Sequence, residues 1–149
     1  MLTTSFPSLG PALSSSKVMG LYFASAWCPD CSRPTPALKT IFETPGVSEK
    51  LSIVYVSSDN SEEQMMSSYN KSHGKWGIIP FDSPERNELK KKFGVCAGKE
   101  SAELGLMGGK RKYGIPTLIL IDSNTEEVLS FDGVNDVMSG GLTGKWGLL

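Results

Sequence analysis

Cysteine and histidine are scarce: the 149 residues hold three cysteines and one histidine. So small and odd a thiol count excludes a disulfide-dense secreted scaffold. It leaves inert buried thiols, a metal site or redox chemistry. An excess of either charge is also missing, with 15 basic and 16 acidic residues and a net charge of -1. That balance argues against a broad nucleic-acid footprint. The longest apolar stretches, Val18–Ala24 and Leu118–Ile121, fall far short of the roughly 20 residues a spanning helix needs. The N-terminus has no basic leader: its first charge is Lys17, and Pro7, Gly10 and Pro11 interrupt Leu2–Leu13. A secretory signal would look different. The expectation is a monomer in a reducing, cytoplasmic or also nuclear setting, with no membrane or nucleic-acid partner. Its length suits one domain with an ordinary core.

Two short apolar runs, Val18–Ala24 and Leu51–Val56, read as buried strands. Between them, Pro29 favours a helical first turn, which Pro34 and Pro36 delay or kink, and Leu38, Ile41 and Phe42 continue at helical spacing. Ser61 with Gln64 fits a capping box for a second helix. Ser83-Pro84-Glu85 opens a third, and Gly94 stops it. Thr117–Ile121, a turn at Asp122–Thr125 and Glu127–Phe131 read as a β-hairpin. The first two strands need a crossover and so lie parallel. This order predicts an α/β domain over residues 18–131, a mixed central sheet with helices on both faces. Residues 1–17 read as a weakly ordered lead-in, and 132–149 as a glycine-rich tail without a helix.

Cys28-Pro29-Asp30-Cys31 follows the first strand and opens a helix. Thiol–disulfide exchange needs this placement. The thiolate is the nucleophile, and a helix start favours negative charge. Cys31, one turn on, can attack a mixed disulfide formed at Cys28. Cys28 is then the exposed attacker and Cys31 the shielded resolver. Asp30 opposes a second negative charge beside it. The strand-before, helix-after context favours redox chemistry over half a zinc site. A Cys28, Cys31, Cys96 and His73 zinc set has suitable ligand types. Its spacing is irregular, and it would cost Cys28 its redox role, so no metal or cofactor is expected.

Leu21–Cys31, Val54–Asp59 with Ser61–Glu63, Trp76 with Ile79–Phe81, and Tyr113–Leu118 together resemble the thioredoxin superfamily, more narrowly its tryparedoxin and nucleoredoxin branch. The resemblance implies a three-layer thioredoxin-like fold. It implies a protein-disulfide oxidoreductase that takes electrons from a small thiol or a reductase enzyme. It also implies a cis bond at Ile115-Pro116, facing the Cys28-Pro29-Asp30-Cys31 motif. The Ile115 backbone would then pair with an extended substrate, flanked by Trp27. Tyr22 stands where thioredoxins proper have a buried aspartate, which leaves the proton acceptor for Cys31 unidentified. The alternative function is a redox-sensing interaction module with little turnover.

Residues 96–112 are the main departure, an insertion just ahead of the proline. It reads as a disordered surface excursion with Cys96 an incidental thiol; the competing reading is a substrate-selecting loop carrying the basic run Lys110–Lys112. Asp59 reads as a helix cap, with an active-site-facing acid as the competing reading, and His73 as a helix-end residue. Trp76 reads as either groove lining or core plug, and Met65 and Met66 as core filler.

Overall fold

The structure is a computed structural model and describes residues 2–148. In chain order the elements are α1 (Leu2–Ser5), α2 (Gly10–Ser15), β1 (Val18–Ala24), α3 (Pro34–Phe42), β2 (Leu51–Ser57), α4 (Glu62–Ser72), β3 (Gly77–Ile78), α5 (Pro84–Phe93), β4 (Thr117–Asp122), β5 (Val128–Ser130), α6 (Gly133–Met138) and α7 (Leu142–Lys145). The sheet order is β3-β2-β1-β4-β5. β1 pairs parallel with β2 and antiparallel with β4. Among the described residues, no helix is long and apolar enough to cross a membrane.

β1 is buried along its whole length because both faces of the sheet are covered. Strand periodicity divides it: Val18, Tyr22 and Ala24 join one apolar cluster, and Met19, Leu21 and Phe23 the other. The first cluster contains Cys28, Cys31, Leu38 of α3, Met65 of α4, Val137 of α6 and Leu142 of α7. The second contains Leu2, Phe6, Leu9, Leu13 and Leu89 of α5. This is the three-layer arrangement, with the dithiol at one end of the central strand.

Both ends of the chain differ from expectation. The lead-in forms α1, a 3-10 turn over Pro7–Leu9, and α2. Leu9 and Leu13, four apart, bury their side chains against the sheet; tertiary burial supplies what weak local propensity withholds. In the tail, Val137, Leu142 and Leu148 are buried with the dithiol cluster, and α6 and α7 form around them. Gly133 is required at the start of α6, since a Cβ there would lie 2.6 Å from the Leu118 carbonyl oxygen.

The insertion is also packed rather than disordered. Its neck is closed by Lys112 N–H to Gly94 O at 2.7 Å and Cys96 N–H to Tyr113 O at 3.3 Å. Cys96, Leu104 and Leu106 form a small apolar cluster inside it. Glu100 takes the Lys90 ammonium of α5 at 2.7 Å, and that lysine side chain is fully buried.

Candidate active site

The dithiol loop leaves β1 at its C-terminal end, after Ala24. Asp59 fastens that loop. Its carboxylate accepts from Ala26 N–H at 2.6 Å, from Tyr55 Oη at 2.7 Å and from Ser57 Oγ at 2.6 Å. The helix cap is instead Ser61, which accepts from Gln64 N–H at 3.1 Å. The cap reading of Asp59 is thereby corrected in favour of the competing one: its carboxylate is engaged by the dithiol loop and β2, not by the start of α4. Trp27 donates Nε1–H to Ser58 O at 2.9 Å, so β2 also fixes the indole.

Cys28 caps a 3-10 turn, Pro29–Cys31, with Pro29 at its first position and Asp30 exposed. The α-helix proper begins at Pro34, so the prolines delay it as expected. Cys28 is 7% exposed and Cys31 2%. The contrast between attacker and resolver is thus one of degree, because the loop before β4 crowds Cys28. The Ile115 carbonyl oxygen lies 4.0 Å from Cys28 Sγ, and the Ile115-Pro116 bond is cis. Burial pushes the Cys31 thiol up; Cys28 and Asp30 add to this, and the Ser25 backbone opposes it. Cys31 therefore rests protonated.

Tyr22 lies beneath the dithiol, sharing a 2.7 Å hydrogen bond with Thr35 Oγ1. Burial raises its phenol, and burial together with Asp59 raises that of Tyr55. Neither phenol is a ready base for Cys31. The His73 ring packs tilted against Tyr55, 4.2 Å centroid to centroid, in a cluster with Trp76, which plugs the core and contacts Phe42 edge-on. His73 is a helix end by backbone, but its ring is buried. Burial lowers its pKa from 6.5 to about 4, with Asp59 opposing.

The sign of that shift gives a prediction. Between pH 6.5 and about 4 the unfolded chain takes up a proton that the folded chain refuses. Stability is full above that window and falls as pH drops through it, by roughly 3–4 kcal/mol in total. His73→Phe keeps the ring and removes this contribution. Urea midpoints at neutral pH and near pH 4.5 measure it, and an unchanged difference between the two in the variant would contradict the assignment.

Several contacts escape sequence reasoning. Lys99, from the insertion, sits 4.2 Å over the Trp27 ring and hydrogen-bonds Asn60. Tyr113 and Phe131 stack at 5.3 Å and line an open groove of about 720 Å3 that runs from Ile115 and Pro116 to Met138. No motif marks either contact, since each joins residues distant in sequence. A second cavity, about 330 Å3, adjoins Cys28 and Cys31 on the side of α3 and α4. Cys96 stays in the insertion's own cluster. Among the described residues, no three His, Cys, Asp or Glu side chains converge to hold a metal.

The thioredoxin-like family pattern matches residues 16–127. A tryparedoxin of Trypanosoma brucei brucei is 33% identical over 114 residues, which is 76% of this chain and 66% of that protein. A probable nucleoredoxin 1 of Arabidopsis thaliana is 31% identical over 126 residues, 84% of this chain and 18% of that protein. The chain thus spans only part of the length of both relatives. Among solved structures, a thioredoxin from Wuchereria bancrofti superposes with a TM-score of 0.68 at 34% identity, over 93% of this chain and 85% of that one.

Proposed function

Because the chain belongs to the thioredoxin-like family, we propose that it reduces protein disulfides through Cys28 and Cys31. The observation that carries this reading is the pairing of a slightly accessible Cys28 with a Cys31 whose thiol burial holds protonated. Cys28 attacks a substrate sulfur, a mixed disulfide forms, and the first substrate thiolate leaves. Cys31 must then lose its proton before it attacks Cys28 Sγ. With Tyr22 and Tyr55 both raised, the departing thiolate is the base at hand. It takes that proton, Cys31 displaces the second substrate thiolate, and the Cys28–Cys31 disulfide closes. The Ile115 carbonyl oxygen lies 4.0 Å from Cys28 Sγ, and the Ile115-Pro116 backbone would receive an extended substrate as an added strand, with Trp27 at its side. A reducing compartment, cytoplasmic or nuclear, suits the reaction.

A second reading, a redox-sensitive interaction module with little turnover, draws on the small exposure of Cys28 and the Lys99 cover on Trp27. Insulin reduction with dithiothreitol separates the two. The reductase reading predicts sustained, protein-dependent turnover. A single stoichiometric reaction together with a stable partner complex released on oxidation would favour the module.

A further inference from the structure

The insertion, residues 96–112, has no part in the mechanism above, yet it sets two cations on the elements that would hold a substrate. The Lys99 ammonium lies 4.2 Å over the Trp27 ring. Arg111 lies against Gly114, the residue before Ile115-Pro116: its Nη2 stands 2.5 Å from the place a Gly114 Cβ would take. Both side chains belong to exposed residues. Neither has a carboxylate within 4 Å among the described residues, whereas Lys90, Lys91 and Lys145 are each paired. Asp59 and Glu100 line the same hollow as Lys99, but their own partners occupy them. The exposed carboxylates Asp30, Glu103 and Asp132 reach neither cation. The fold holds both cations in place. Lys99 adjoins Glu100, which is pinned on buried Lys90, and Arg111 donates Nε–H to Cys96 O at 2.9 Å. Within the basic run, Arg111 thus meets the proline loop, whereas the Lys112 stem packs at Gly94.

We infer that residues 96–112 make the protein selective for protein disulfides whose cysteines are flanked by acidic residues, with Lys99 and Arg111 as the specificity-determining cations. The inference rests on the disulfide-reduction reading above and leaves its chemistry unchanged. It concerns which polypeptide segment settles beside Cys28. An extended substrate that pairs with the Ile115 backbone and runs past Trp27 passes beside both cations. Cations held on an ordered frame lose little freedom when a carboxylate arrives. Such charge complementarity steers encounter and rejects like-charged partners more than it adds raw affinity. A substrate with a basic flank meets two like charges there. The chain as a whole carries a net charge of -1, so it offers acidic partners no general attraction. The preference is local to this loop.

The test uses three synthetic peptides, each closed by one internal disulfide and alike except for glutamate, glutamine or lysine on both sides of each cysteine. Wild type should reduce the glutamate peptide with the highest kcat/KM and the lysine peptide with the lowest. Lys99→Gln/Arg111→Gln should lower the glutamate-to-glutamine ratio by roughly two- to thirtyfold, the range for losing two exposed ion pairs. Lys99→Gln alone should lower it by roughly 1.5- to fivefold. That single variant leaves the Arg111 bond to Cys96 O intact, so it reads the charge even if the double variant loosens the insertion. Lys99→Arg/Arg111→Lys keeps both charges and should keep the preference. Added salt should narrow the wild-type ratio. A wild-type ratio of one or less overturns the inference. So does a ratio that Lys99→Gln leaves in place, and so does equal loss on all three peptides. If wild type reduces none of the three, the disulfide-reduction reading itself falls.

Discussion

Replacing Cys28 with serine abolishes disulfide reduction, a loss on the order of a thousandfold or more, because a serine hydroxyl lacks the thiolate's nucleophilicity near neutral pH. The loss is chemical rather than structural. Cys28 caps a short turn through its backbone, with no side-chain cap bond, and its Sγ lies beside the Cys31 thiol and 4.0 Å from Ile115 O. A serine of nearly the same size fits there, so the urea midpoint should stay close to wild type, within about 1 kcal/mol. Insulin turnover and the unfolding curve, measured on the same preparation, check both halves. Full turnover by the serine variant would place the chemistry elsewhere.

Glu100→Ala should lower stability by about 3–5 kcal/mol, the range for breaking a buried ion pair from one side. The carboxylate holds Lys90 Nζ at 2.7 Å, Ser58 Oγ at 2.5 Å and Ala97 N–H at 3.0 Å. Without it the fully buried Lys90 ammonium has no counter-charge. Burial presses the Glu100 carboxyl upward, but Lys90, Ser58 and Ala97 together outweigh it and leave the group below its ordinary 4.5. Burial also lowers Lys90, against the pull of Glu100, so the pair is costly to form and more costly to halve. The Glu100 contribution is therefore complete above pH 4.5 and is lost as pH falls through the depressed folded value. Urea unfolding of Glu100→Ala, and of Glu100→Leu with Lys90→Met, measures this. The double variant should recover most of the loss. A single variant indistinguishable from wild type would mean that the pair does not anchor the insertion. The same anchor positions Lys99 over Trp27, so limited proteolysis should cut within residues 96–112 sooner in Glu100→Ala.

What was legible in the sequence was local or periodic. The apolar runs of β1 and β2, the Ser61 cap and the Gly94 stop all stand where spacing and end chemistry put them. The thioredoxin-like resemblance matches the family pattern over residues 16–127, and it carried the three-layer fold. The packed insertion was hidden because its anchor is a lysine within a run of three, Lys90–Lys92, which reads as solvated charge. The terminal helices were hidden because their residues form helices poorly alone and gain order only by burying Leu9, Leu13, Val137 and Leu142. The cap reading of Asp59 was preferred because its partners, Ala26 and Tyr55, meet it only when β1 and β2 pair. Of the site, the dithiol and the proline opposite it could be named from motif and resemblance. The Lys99 contact with Trp27 could not, since nothing local joins the insertion to the dithiol loop.

The most direct measurement is trapping with Cys31→Ser. That variant retains the attacker and removes the resolver, so the account predicts a stable mixed disulfide between Cys28 and a protein disulfide substrate. Non-reducing electrophoresis would show it, dithiothreitol would release it, and peptide mapping would place the bond at Cys28. No adduct in this background, or an adduct mapped to Cys96, would contradict the account.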